Sequence, residues 1–220
     1  MVVRVVLMNK TFKALSMLLQ YPEVVLFSDL PDILSILLQE EKFSFEIKEK
    51  LSALVSWMQG QELIALQEQY VDLFDRSRRL SLHLFEHVHG ESRDRGQAMV
   101  DLMEHYQQAG YAMHPSELPD YLPLVLEFFS CIEFKEAQKL LRQFLTILVA
   151  IHAQLQSKNS LYLSVFDALI ALTGFEVQVP AILDELDIPE ELLDENWEEA
   201  PIDFSHASQC GASVPPDSRG

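Results

Sequence analysis

A chain of 220 residues, 49% hydrophobic and 23% charged, can bury one sizeable core without a disulfide or a metal to hold it. Sixteen basic against 34 acidic residues leave a net charge of −18, which argues against nucleic acid and anionic membrane surfaces and favours a basic partner. Only 7 glycines are present, too few for a turn-rich β fold and in keeping with long helices.

Taken in chain order, Phe12, Leu15, Leu18 and Leu19 recur at helical spacing, and Tyr21-Pro22 stops that helix because proline disfavours helix in the residue before it. Pro22 opens a short helix through about Phe27, and a second piece starts behind Pro31 with Ile33, Leu34, Leu37 and Leu38 as its apolar side. Ser44 is the expected N-cap of a helix burying Ile47, Leu51, Leu54, Val55 and Met58, which Gly60 ends. Residues 61–75 read as a further helix, 76–79 as a loop, and 81–88 as a short helix capped by Ser81. The period resumes over 93–109 and again behind Pro115 and Ser116, where Leu118, Tyr121, Leu122, Val125, Phe128 and Phe129 are expected inward.

Residues 133–156 show the most regular pattern and predict one long amphipathic helix, from Phe134 and Ala137 to Ile151 and Leu155. Lys158-Asn159 marks a turn, and a last apolar helix carries Leu161, Val165, Phe166 and Leu169 to its end at Gly174. Residues 175–179 alternate like a strand without a partner and read as extended loop. From Glu176 to Asp203 there are eleven acidic residues and no basic one, with a short helix expected behind Pro189 that carries Leu192, Leu193 and Trp197. The expected fold is all-α, a single-domain bundle of about eight to ten helices over residues 1–198. Residues 199–220, rich in Ser, Ala, Gly and Pro, form a tail without the apolar content to order itself.

Cys131 and Cys210 lie far apart in no CxxC arrangement, as in a protein of a reducing compartment. The apolar run at residues 2–8 is broken by Arg4 and is too short for a signal peptide or a membrane span, so a cytoplasmic location without membrane insertion is expected.

Between Asp72 and Arg95 lie five arginines, three histidines and five carboxylates, interleaved with leucine and phenylalanine. Two readings of that mixture compete, a partner-binding site and an ionic network joining two halves of the bundle. For the network, Asp72, Asp75, Glu86, Glu91 and Asp94 are within sequence reach of Arg76, Arg79, Arg93 and Arg95, and His87 and His89 could add hydrogen bonds. A catalytic alternative also exists. His83, Glu86 and His87 fit an H-x-x-E-H pattern, in which two histidines on one helix face hold zinc and the glutamate activates water. The pattern is short, and Gly90 closes the helix almost at once. No glycine-rich phosphate loop or serine nucleophile elbow is present, so no catalytic residue and no metal ligand is assigned.

The run from Ser81 to Leu102 resembles the signature of NarJ-type assembly chaperones for respiratory nitrate reductase. Further matches are Leu18-Leu-Gln-Tyr-Pro22, Tyr70-Val-Asp-Leu-Phe-Asp75, the run from Glu117 to Glu127, Phe166-Asp-Ala-Leu169 and Trp197-Glu-Glu199. The resemblance implies an all-helical cytoplasmic chaperone without catalytic activity. It would bind the N-terminal segment of the apo catalytic α subunit and delay membrane docking. In that interval bis-molybdopterin guanine dinucleotide and an iron–sulfur cluster are inserted, the chaperone itself holding no cofactor stably. It further implies that Asp120 and Tyr121, in Pro119-Asp120-Tyr121-Leu122, contribute to peptide binding, and that Tyr70, Leu73 and Phe74 line the same groove or its floor. A basic amphipathic peptide would meet the carboxylates of Asp72, Asp75, Glu86, Asp120 and Glu127. On this reading Asp120→Ala weakens peptide binding without unfolding the protein. A general acidic helical adaptor, unconnected with any cofactor, is the remaining alternative.

Overall fold

The computed structural model describes residues 9–89, 93–114 and 117–174, apart from the side chains at 88, 89, 93 and 94. The described residues form an all-helical bundle: α1 Lys10–Leu19, α2 Val24–Gln39, α3 Phe45–Gln59, α4 Leu63–Tyr70, α5 Glu86–His89, α6 Arg93–Gln108, α7 Leu122–Cys131, α8 Phe134–Gln143, α9 Leu145–Ser157 and α10 Leu163–Leu172. A π-helical turn, Val71–Asp75, extends α4, and a 3-10 turn, Arg78–Leu80, follows it. The expected loop over 175–179, the helix behind Pro189 and the 199–220 tail lie outside the described residues.

α1 lies between α2 and α7, α2 rests on α3, and α3 on α10, which also packs along α9. The α1–α7 pair is antiparallel and fastened in three places. Ser16 Oγ donates to Pro123 O at 2.7 Å, Lys13 Nζ meets Glu127 Oε1 at 2.7 Å, and Asn9 Nδ2 donates to Ile132 O at 2.6 Å. Asn9 thereby satisfies a carbonyl that the end of α7 leaves without a helical partner. Phe12 in the first turn of α1 is fully buried against the rings of Phe129 and Phe134.

Three expectations about helix boundaries are corrected. α2 runs unbroken through Pro31. The proline ring stands on the exposed side, where the carbonyl it leaves unpaired can turn to water, so the helix need not end. The single helix expected over 133–156 is two, α8 and α9, divided at Phe144, whose N–H donates to Leu141 O in a tighter i→i+3 bond. Two demands of burial meet there. α8 buries only Ala137 and Leu141, whereas α9 is enclosed on most sides. Finally, α7 starts at Leu122, behind a turn at 119–121, so Leu118 is exposed and not part of the core.

Ser44 caps α3 as expected, its Oγ accepting from Ile47 N at 3.3 Å. Ser44→Ala should cost about 1 kcal/mol and lower the melting temperature by about 2–4 °C, measurable by calorimetry. Gly174, at φ +85°, ends α10 in the left-handed region that glycine enters without strain.

A second polar cluster sits inside the bundle. Asp167 of α10, 2% exposed, accepts from His152 Nε2 at 2.7 Å and from Lys50 Nζ at 3.2 Å, binding α9 and α3 to α10. A carboxylate can only accept, so the proton between the two rests on His152 Nε2.

Candidate functional site

The central stretch folds around one backbone crossing. Leu84 N donates to Asp120 O at 3.0 Å and Leu122 N to Leu82 O at 2.8 Å, pairing His83 with Tyr121 in an antiparallel bridge. The second of these bonds claims the Leu82 carbonyl, which a helix starting at Ser81 would have used for itself. The helix expected from Ser81 therefore begins only at Glu86. Ser81 Oγ accepts from the nearby His83 N–H instead of capping a helix.

The Asp120 side chain lies beneath the crossing with no exposed surface. Its carboxylate accepts from Phe85 N at 3.1 Å, faces His83 Nδ1 at 3.4 Å and stands 3.8 Å from the Arg95 guanidinium. Arg95 reaches in from the first turn of α6 and also donates to Glu86 Oε1 at 3.2 Å. At the other end of α6 the buried Tyr106 hydroxyl donates to Pro119 O at 2.7 Å, so both ends of that helix hold the segment carrying Asp120. His87 Nε2 donates to Ser81 O at 2.8 Å. Burial holds the His87 imidazole below its ordinary value, and its bond to that carbonyl offsets this only in part.

Above this polar floor runs a strip of tyrosines. The Tyr70 hydroxyl donates to Leu19 O at 2.8 Å, so at 3.0 Å from Tyr121 it must accept the Tyr121 proton. Tyr21 sets its ring edge-on to Tyr70 at 5.6 Å and is 46% exposed. His83 covers the other side of Tyr121 at 5.3 Å between ring centroids. Burial pushes the Tyr121 phenol above its ordinary value, with the charges of Asp75 and Glu117 adding to it. The π turn explains the arrangement of the neighbouring residues. It turns Phe74 into the core between Tyr70 and Tyr162, and leaves Asp72 and Asp75 exposed.

Residues expected to touch a partner thus divide. Asp72 and Asp75 are exposed, and Tyr121 and Glu86 are half-buried. Tyr70, Phe74 and Asp120 are buried and form the floor beneath them. Glu127 is engaged by Lys13 on the α1–α7 seam. The expected network exists in smaller form, centred on Arg95. Arg76 pairs with its helical neighbour Asp72 at 2.6 Å on the surface, and one terminal nitrogen of Arg79 is buried without a hydrogen-bond partner among the described residues. Glu91 and the side chains of His89, Arg93 and Asp94 lie outside the described residues.

The zinc alternative required His83 and His87 on one helix face. His83 is not helical, and its ring faces Asp120 while His87 faces Ser81. Among the described residues no group of three or more His, Cys, Asp or Glu is arranged to hold a metal ion, and no helix is long and apolar enough to cross a membrane. Local pattern marks Tyr21 only as a helix stop and carries no sign of His83 as a cover for Tyr121. Their positions depend on contacts with residues far along the chain.

Comparison with known proteins agrees with this architecture. The profile of the nitrate reductase delta subunit family matches residues 40–168, which contain the whole crossing. The nitrate reductase molybdenum cofactor assembly chaperone NarJ of Escherichia coli (strain K12) is 36% identical over 204 residues, covering 90% of this chain and 86% of that one. The protein assigned as NarJ in Bacillus subtilis (strain 168) is 32% identical, covering 73% and 86%. In fold, the chain is similar to the crystal structure of an assigned redox enzyme maturation protein from Archaeoglobus fulgidus. That similarity has a TM-score of 0.54 at 21% identity and covers 76% of this chain and 94% of the other.

The sequence relatives place this all-helical chain among assembly chaperones. The chain belongs to the nitrate reductase delta subunit family and is of the NarJ type.

Proposed function

We propose that the tyrosine strip and its acidic rim bind the N-terminal segment of the apo catalytic α subunit of respiratory nitrate reductase. The chaperone holds that subunit in the cytoplasm, before membrane docking, while bis-molybdopterin guanine dinucleotide and an iron–sulfur cluster are inserted. It takes no cofactor as its own. The observation that carries this reading is the pairing of half-open aromatic surface, at Tyr21 and Tyr121, with the exposed carboxylates of Asp72 and Asp75. A basic amphipathic peptide would lay its apolar side on the rings and its arginines against the rim. The names of the relatives, nitrate reductase molybdenum cofactor assembly chaperones, support the class of partner. The net charge of −18 speeds capture of such a peptide and makes it salt-sensitive.

Asp72 and Asp75 are exposed, so the double variant Asp72→Asn/Asp75→Asn should fold normally. Its calorimetric affinity for a synthetic peptide of the α-subunit N-terminus should fall about tenfold, roughly 1.4 kcal/mol, with a flatter salt dependence. Unchanged affinity would remove the rim from the site. A pull-down from anaerobic nitrate-grown cells identifies the partner. Capture of unrelated basic proteins without a molybdoenzyme subunit would favour the general adaptor.

A further inference from the structure

We propose that the acidic segment 176–203 docks back along the outer face of α8. Lys135, Lys139 and Arg142 stand at i, i+4 and i+7 on that helix, within an arc of about 60°, opposite the buried Ala137 and Leu141. All three are exposed, and none takes part in a salt bridge among the described residues. The acids nearest to them in sequence, Glu133 and Glu136, pair with none of the three among the described residues. The helix dipole accounts for Arg142 in the last turn. It does not account for Lys135 in the first turn, where a positive charge is disfavoured.

The route of the chain supplies the occupant. Arg142 Nε donates to Thr173 O at 2.6 Å and Gln138 Nε2 to Leu172 O at 2.8 Å, fastening the end of α10 to α8. A Cβ built on Gly174 would stand 3.0 Å from the Arg142 guanidinium. The chain therefore leaves the described body at one end of the basic row, and the next 28 residues, 176–203, hold eleven acids and no base. From Arg142 back to Lys135 the helix rises about 10 Å, a span that three or four extended residues cover. Asp184, Glu185 and Asp187 are thus well within reach. Each exposed ion pair is weak by itself, but covalent attachment keeps the acids at high local concentration.

Zero-length carbodiimide cross-linking of the full chain at low concentration, read by mass spectrometry, tests this. The Lys13–Glu127 pair, at 2.7 Å, is the internal control. Within the monomer, Lys135 and Lys139 should link to carboxylates of 176–203, and these links should fall several-fold in 1 M salt. In Lys135→Glu/Lys139→Glu, with circular dichroism unchanged, limited proteolysis within 176–203 should accelerate several-fold. The proposal is overturned if the control links but Lys135 and Lys139 do not, if all lysines link to the segment equally, or if the links join two chains. Unchanged proteolysis of the double variant would overturn it as well.

Discussion

Asp120→Ala should lower stability by about 3–5 kcal/mol, because it removes the fully buried carboxylate of a charged cluster and leaves its partly exposed partners in place. Phe85 N–H would lose the Asp120 carboxylate, and Arg95 would keep Glu86. Burial thus changes what the sequence alone suggested for this substitution, a loss of binding in an otherwise intact protein. Asp120→Asn separates the two contributions, since an amide oxygen can still accept from Phe85 while the charge facing His83 and Arg95 is gone. We expect Asn to recover about half of the stability lost in Ala, as measured by urea unfolding. A loss below about 1 kcal/mol in Ala would mean that the carboxylate does not hold the crossing together.

Asp167→Ala should be of similar size, about 3–5 kcal/mol, because Asp167 is the shared acceptor for two other helices. Lys50→Ala should cost no more than about 1 kcal/mol, since Lys50 is 44% exposed and also pairs with Glu46. The cluster carries a pH signature as well. Burial pushes the Asp167 carboxyl up, but the hydrogen bonds and charges of His152 and Lys50 outweigh it and hold the group below its ordinary value. A carboxyl with a lowered folded pKa stabilises the fold above its unfolded pKa, about 3.9, and that contribution is lost as pH falls through the folded value. Below about pH 4, wild type should therefore lose its advantage over Asp167→Asn. A constant gap down to the acid transition would show that Asp167 is not ionised in the fold.

Much of this architecture is legible in the local pattern. The three-and-four spacing of Phe12, Leu15, Leu18 and Leu19 and the core side of α3 are buried as the period requires. Asn159 and Gly174 take the positive φ expected where helices end. The likeness of the 81–102 run to one chaperone family was also visible without coordinates, because a run of side chains identifies a family even where its backbone is misread. Residues 81–85 show the difference. Their composition suits a helix, yet only a bridge at His83 and a turn at 84–85 form, since the distant backbone at 120 and 122 pairs with Leu84 N–H and Leu82 O.

Helical content, acidity and likeness to the NarJ type can all be read along the chain. Composition, period and motif order are properties of neighbours along the chain. Which charges are buried and which remain open to a partner was decided only by the tertiary structure. Asp72, Asp75 and Asp120 are the same residue type within one stretch. A π turn leaves the first two exposed, and a backbone crossing covers the third. The physical reason is that a carboxylate's environment is set by the donors brought to it, here Phe85, His83 and Arg95, 25 to 37 positions away along the chain.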